Sequence, residues 1–186
     1  MNPDVLSPAS IAHFLTLQPS CGSTTIIGID GRSGTGKTTL GRQLAFALEC
    51  PLVSLESVYQ GWEGLDAGID QMADALAALA HGDAAFVTTW DWAAGKPGER
   101  LPLPTSHLLV LEGVGTGAHQ IRPFLSYLIW LEAPAALRQT RALSRGGENY
   151  EQWWYIWAAQ EDSYIERDTP AKHADLLIET TRTRDT

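Results

Sequence analysis

Apolar residues recur along this chain with two different periods. Short, largely apolar and β-branched runs occupy Thr24 to Asp30, Pro51 to Leu55, Ala84 to Thr89, His107 to Leu111, Tyr127 to Leu131 and Ala174 to Ile178. Runs of this length and composition predict buried strands. Between them the spacing turns helical. Thr38 to Leu48 carries apolar residues at 40, 44, 45 and 48, and Ile69 to His81 carries them at 69, 72, 73, 76, 79 and 80, with Gly82 as the stop. Further helices are expected from Pro134 to about Arg145 and from Tyr150 to Arg167, with Gly146-Gly147 as the break between them. Ser7-Pro8 starts a short helix to about Leu17, with serine as N-cap and proline at the first helical position. Trp90 to Pro104, with three prolines and two glycines, reads as a long loop or hairpin. Strands alternating with helices predict an α/β fold, a parallel sheet covered on both faces.

Gly31 to Thr38 reads Gly-Arg-Ser-Gly-Thr-Gly-Lys-Thr, a complete G-x-x-x-x-G-K-[ST] loop between a predicted strand and a predicted helix. Glycines let successive N–H groups converge on phosphate, and the helix N-terminus adds affinity for anions. Gly31, Ser33, Gly34, Thr35, Gly36, Lys37, Thr38 and Thr39 are therefore the candidate nucleotide contacts. Lys37 reaches the β- and γ-phosphates, and the Thr38 hydroxyl holds Mg²⁺. The loop narrows the fold to the P-loop NTPase type, here a five-stranded parallel sheet in one domain of residues 1–186, with 1–23 as a helical appendage.

In such sheets ligands bind beyond the carboxyl ends of the strands. Glu112 ends an apolar strand, where an acid can hold Mg²⁺ opposite Thr38. Glu56 follows the second strand and is the candidate to orient an acceptor hydroxyl and take its proton. Trp90, Asp91 and Trp92 follow the third strand and suit contact with a substrate's hydroxyls and apolar face. Arg138, Arg141 and Arg145 share one helical face ahead of the glycines. They suit a lid that neutralises charge on a transferred phosphoryl group, with Arg141 and Arg145 foremost; the alternative is a solvated face paired with Glu148 and Glu151. Asp30 is expected to brace the loop, Arg32 to point outward, and Trp153, Trp154 and Trp157 to pack in the core.

The chain has 186 residues, 44% hydrophobic and 19% charged, with a net charge of −9 and only 13 Lys and Arg. A nucleic-acid binder usually presents a basic face, so none is expected as a partner. Two cysteines, Cys21 and Cys50, are too few for a disulfide framework. No apolar stretch is long enough to span a membrane and the first residues lack a signal-peptide pattern, so a cytoplasmic protein is expected. The five histidines lack zinc-ligand spacing.

From about residue 25 to 180 the chain resembles the uridine kinase-like branch of P-loop small-molecule kinases, which includes uridine-cytidine kinases, phosphoribulokinases, bacterial pantothenate kinases and smaller actinobacterial-type relatives. The likeness rests on Ile29 to Thr38, Glu56-Ser57-Val58-Tyr59, Trp90-Asp91-Trp92 and Leu111-Glu112-Gly113. It implies ATP and Mg²⁺ as cofactors, Glu56 at the position of the family's base, and Tyr59 at a tyrosine lining the acceptor site. Two positions depart from the pattern. Glu56 replaces an aspartate, and Trp90 replaces a tyrosine. The usual histidine partner for a base is missing, and the segment from Trp92 to Leu103 is shorter than a base-binding hairpin. Kinase chemistry therefore carries over better than substrate identity.

The expected function is ATP-dependent transfer of the γ-phosphoryl group to a hydroxyl of a small molecule, with nucleosides among the candidates. A homodimer is compatible with this reading. The alternative is a catalytically degenerate nucleotide-binding regulatory module, and a mechanical ATPase is a weaker third reading.

Overall fold

A computed structural model describes residues 4–146 and 150–180, without the side chains at 145, 146 and 150–152. Five strands form one parallel sheet: β1 (Thr25–Gly31), β2 (Leu52–Ser54), β5 (Leu108–Glu112), β6 (Tyr127–Glu132) and β7 (Leu176–Glu179), in the order β2-β5-β1-β6-β7. Strand β1 lies at the centre and every residue in it is buried. Its alternating side chains feed two separate cores. Ile26 faces a core built with Leu109, Leu111, Ile69, Leu76 and Tyr164. Ile27 and Ile29 face another, shared with Leu44, Val110, Ile129 and Leu131.

The first core packs under α3 (Leu65–His81) and α5 (Tyr150–Asp168), and the second under α2 (Lys37–Ala47). Helix α1 (Pro8–Phe14) starts as its sequence indicates, the Ser7 hydroxyl accepting the Ser10 N–H at 3.2 Å. Its Phe14 is buried in the second core and meets the Tyr127 ring edge-on at 5.4 Å. The segment expected as an appendage thus contributes to the packing of the sheet.

Two elements differ from the sequence expectation. Helix α3 begins at Leu65, four residues before the expected start at Ile69. Gly64 and Gly68 look like loop residues in sequence, but a Cβ on Gly68 would lie 2.7 Å from the Tyr59 ring. That glycine lets the helix pass close to the loop. The third predicted strand is also a strand, β3 (Phe86–Asp91), but it leaves the main sheet and pairs antiparallel with β4 (Lys96–Pro102). A strand buried between two helical layers is continuously apolar, whereas β3 carries Thr88 and Thr89 and has an exposed Phe86. The hairpin is held to α3 by Gln71, which accepts the Thr88 N–H at 2.6 Å and donates to its carbonyl at 3.1 Å. Helix α4 (Ala135–Gly146) completes the described fold.

Candidate active site

The phosphate loop leaves β1 at Gly31 and enters α2 at Lys37. Gly36 caps the helix with φ +99°, a conformation that favours glycine, and no side chain caps the helix start. The first N–H groups of a helix have no acceptor within it, so those of α2 are free to meet an anion. Gly36, Lys37 and Thr38 line a cavity of about 370 Å³ together with Glu56, Tyr59 and Glu112. At Gly34 a Cβ would lie 2.3 Å from the Arg138 carbonyl, because α4 crosses directly over the loop.

Lys37 is buried and donates to the Arg32 carbonyl at 3.0 Å. Burial pushes its ammonium below the ordinary lysine range, opposed by the charges of Glu161, Asp30, Glu112 and Glu56. Glu112 is buried at the end of β5 and faces the Thr38 hydroxyl at 3.3 and 3.4 Å. Ser54, at the end of β2, donates to the same carboxylate at 2.6 Å. This oxygen-rich pair suits a hard cation such as Mg²⁺. Among the described residues no three His, Cys, Asp or Glu side chains gather as a metal site. Mg²⁺ would therefore rely on Thr38, Glu112, water and the nucleotide's own phosphates.

Glu56 sits on the turn after β2, exposed at the cavity, with its carbonyl accepting the Trp92 indole N–H at 3.3 Å. Tyr59 is buried and its hydroxyl donates to the Val114 carbonyl at 2.7 Å. Burial, before any neighbouring charge, pushes its phenol well above the ordinary range. Trp92 lines the cavity, whereas Trp90 packs near Gly61. Asp91 is turned away, its carboxylate accepting the N–H groups of Ala93 and Ala94 at 3.0 Å each. It closes the hairpin turn.

Arg141 donates to the Gly34 carbonyl at 3.3 Å and to the Thr180 hydroxyl at 3.4 Å, at the edge of the phosphate loop. Arg138 donates to the Ala133 carbonyl. The Arg145 side chain, Gly147, Glu148 and the Glu151 side chain lie outside the described residues. Asp30 braces the site as expected. Its carboxylate accepts the N–H groups of Gly31, Gly115 and Gly117 and the Tyr164 hydroxyl, at 2.6 to 3.2 Å. Burial raises its pKa, opposed by the hydrogen bonds from Tyr164, Gly117 and Gly31 and by the charge of Lys37.

Arg32 does not point outward. It pairs with Asp162 at 2.6 Å and lies 3.8 Å from Glu161. Glu161 is the residue that sequence reasoning missed. Buried on α5, it accepts the Ser33 N–H at 2.7 Å and the Trp157 indole N–H at 2.9 Å. Trp157 is core, as expected, but also lines the cavity. The available signal was the spacing of Trp157, Glu161 and Tyr164, which places an acid on the inward face of a helix. Replacing Glu161 by Gln keeps an acceptor for Ser33 and removes a negative charge beside the phosphate loop. The fold is expected to weaken by about 1–2 kcal/mol in urea unfolding. Nucleotide affinity is expected to rise roughly 3–10-fold by calorimetry.

A phosphate loop entering a helix at the carboxyl edge of a parallel sheet, with an acid facing its threonine, defines a P-loop nucleotide-binding site. No family model matches the chain. It is similar to the uridine kinases of Staphylococcus aureus strains JH9 and Newman, each 26% identical over 183 residues, covering 84% of this chain and 87% of the relative. Its fold matches a structure described as a possible uridine kinase from Bacillus stearothermophilus, with a TM-score of 0.64 and 21% identity over 90% of this chain and 94% of that one. In sequence and in fold, respectively, the chain is thus similar to uridine kinases and to a possible uridine kinase.

Proposed function

We propose that the chain is an ATP-dependent phosphotransferase that moves the γ-phosphoryl group to a hydroxyl of a small molecule. One observation carries this reading. A single cavity joins the phosphate loop to Glu56, and it is open beside that carboxylate instead of filled with packed side chains. The similarity to uridine kinases supports the same reading, and a degenerate binding module would have no need of the open space.

In this reading the amides of Gly34 to Thr38 hold the phosphates and Lys37 neutralises their charge. Thr38 and Glu112 would hold Mg²⁺, which when bound would help neutralise the charge of the phosphates. Glu56 orients the acceptor hydroxyl and takes its proton. Arg141 is placed to hold α4 over the loop, and Tyr59 forms the buried wall behind the acceptor.

The test is ADP release with Mg-ATP across nucleosides, sugars and amino alcohols. With the best acceptor, Glu56→Gln is expected to lower kcat about 10²–10⁴-fold while ATP binding stays unchanged. Full activity in that variant would remove Glu56 as the base. Tight ATP binding with no transfer to any acceptor would favour the regulatory module.

A further inference from the structure

Resting on the phosphotransferase reading, we infer that the acceptor is a flat-ringed alcohol bearing a positive charge and no negative one, held by an aromatic wall and Glu56. The wall has two parts. Trp62 meets Trp92 edge-on, with ring centres 5.1 Å apart, and Trp153, stacked nearly parallel at 6.0 Å. Tyr59 and Trp157 meet at 4.9 Å. Tyr59, Trp62, Trp92 and Trp157 line the same cavity as Glu56. Trp62 is held in place from α5, where Gln160 donates to its carbonyl at 2.6 Å and accepts the Leu65 N–H at 3.2 Å.

The polar ends of three of these rings are already bonded within the protein. The Tyr59 hydroxyl donates to Val114, the Trp92 N–H to the Glu56 carbonyl, and the Trp157 N–H to Ser33 and Glu161. What they offer a ligand is ring surface, which selects by stacking and attracts cations. Hydrogen-bond readout by these side chains is correspondingly small.

Charge points the same way. Among the described residues, Lys37 is the only basic side chain lining the cavity, and it serves the phosphate loop. Arg141 is turned to the Gly34 carbonyl. Among the described residues the Glu56 carboxylate has no ion-pair partner. An anionic acceptor would meet the Glu56 carboxylate, and among the described residues Lys37 is the one cation lining the cavity to offset that repulsion, already bonded to the Arg32 carbonyl, whereas an ammonium group meets both a carboxylate and π faces.

Three probes sharing a benzyl ring separate charge from shape: benzyltrimethylammonium, benzyl alcohol and phenylacetate. They are titrated calorimetrically into the full chain with Mg²⁺ and a non-hydrolysable ATP analogue. The ammonium is expected to bind about tenfold tighter than phenylacetate, with benzyl alcohol between them. Trp62→Ala is expected to weaken the ammonium about tenfold without changing affinity for the nucleotide analogue, and Trp62→Leu substitutes if the alanine variant does not fold. Glu56→Gln is expected to reduce the gap between ammonium and phenylacetate. Equal or tighter binding of phenylacetate, or no effect of losing the Trp62 ring, overturns the inference. Transfer assays run in parallel separate the two readings. Phosphoryl transfer combined with a preference for anions sinks only the charge assignment, whereas a preference for cations without any transfer sinks the phosphotransferase.

Discussion

Lys37→Met is expected to reduce phosphoryl transfer by about 10³-fold or more while leaving the fold intact. The ammonium is the only cation of the described residues inside the cavity, and it sits at the helix start, where in the proposed function the transferred group would carry its charge. Methionine keeps an unbranched apolar stem one atom shorter than the lysine side chain and removes the charge and the bond to the Arg32 carbonyl. Burial already disfavours that charge, so stability should not suffer, because an uncharged group no longer has to be desolvated. The expected result is a melting temperature equal to or above that of the unaltered chain, with transfer nearly abolished and Mg-ATP affinity reduced. Measuring ADP release beside thermal unfolding checks both halves. Transfer within tenfold of the original would show that the lysine is not where the charge develops.

Asp30→Ala is expected to have the largest effect on stability. The carboxylate is fully buried and accepts from three backbone N–H groups and one phenol. Alanine leaves all four donors buried without an acceptor, at a net cost of about 3–5 kcal/mol. For a chain of this size that corresponds to a fall in melting temperature of roughly 10 °C or more. Asp30→Asn is the informative comparison. Its oxygen can still serve Gly31 and Gly115, and its NH₂ can donate to a rotated Tyr164 hydroxyl, so only the Gly117 N–H loses its acceptor. The asparagine variant should therefore fall between the two. A loss of under 1 kcal/mol in the alanine variant would mean that water replaces the carboxylate.

How much of this was legible in the sequence differs by element. The phosphate loop could be read because its function depends on contiguous residues. Glu112 and Glu56 could be read because acids at the ends of apolar strands stand out. The departure of β3 from the main sheet was harder to see, since a short strand looks alike whether it joins a sheet or a hairpin. Only Thr88 and Thr89 in its middle argued against burial on both faces. Glu161 was not read because it meets Ser33 across 128 positions, and its neighbours on α5 are charged on the other faces. Trp62 sits in a segment that resembles loop, and its place in the cavity wall arises from α5 and the hairpin meeting around it. Residues whose roles depend on two distant elements leave little local signal.

The β3–β4 ribbon shares no backbone ladder with the five-stranded sheet, yet its tip carries Trp92 to the Glu56 turn. In the proposed function Trp92 is the ribbon's contribution to the choice of alcohol, beside Glu56, Tyr59, Trp62 and Trp157 outside it, while triphosphate handling would rest on the phosphate loop. Descendants of such a scaffold could exchange residues 86–102 and take up a new alcohol, and the nucleotide half would inherit no penalty. A chimera carrying a foreign ribbon should accordingly keep its Mg-ATP affinity while its choice of alcohol drifts.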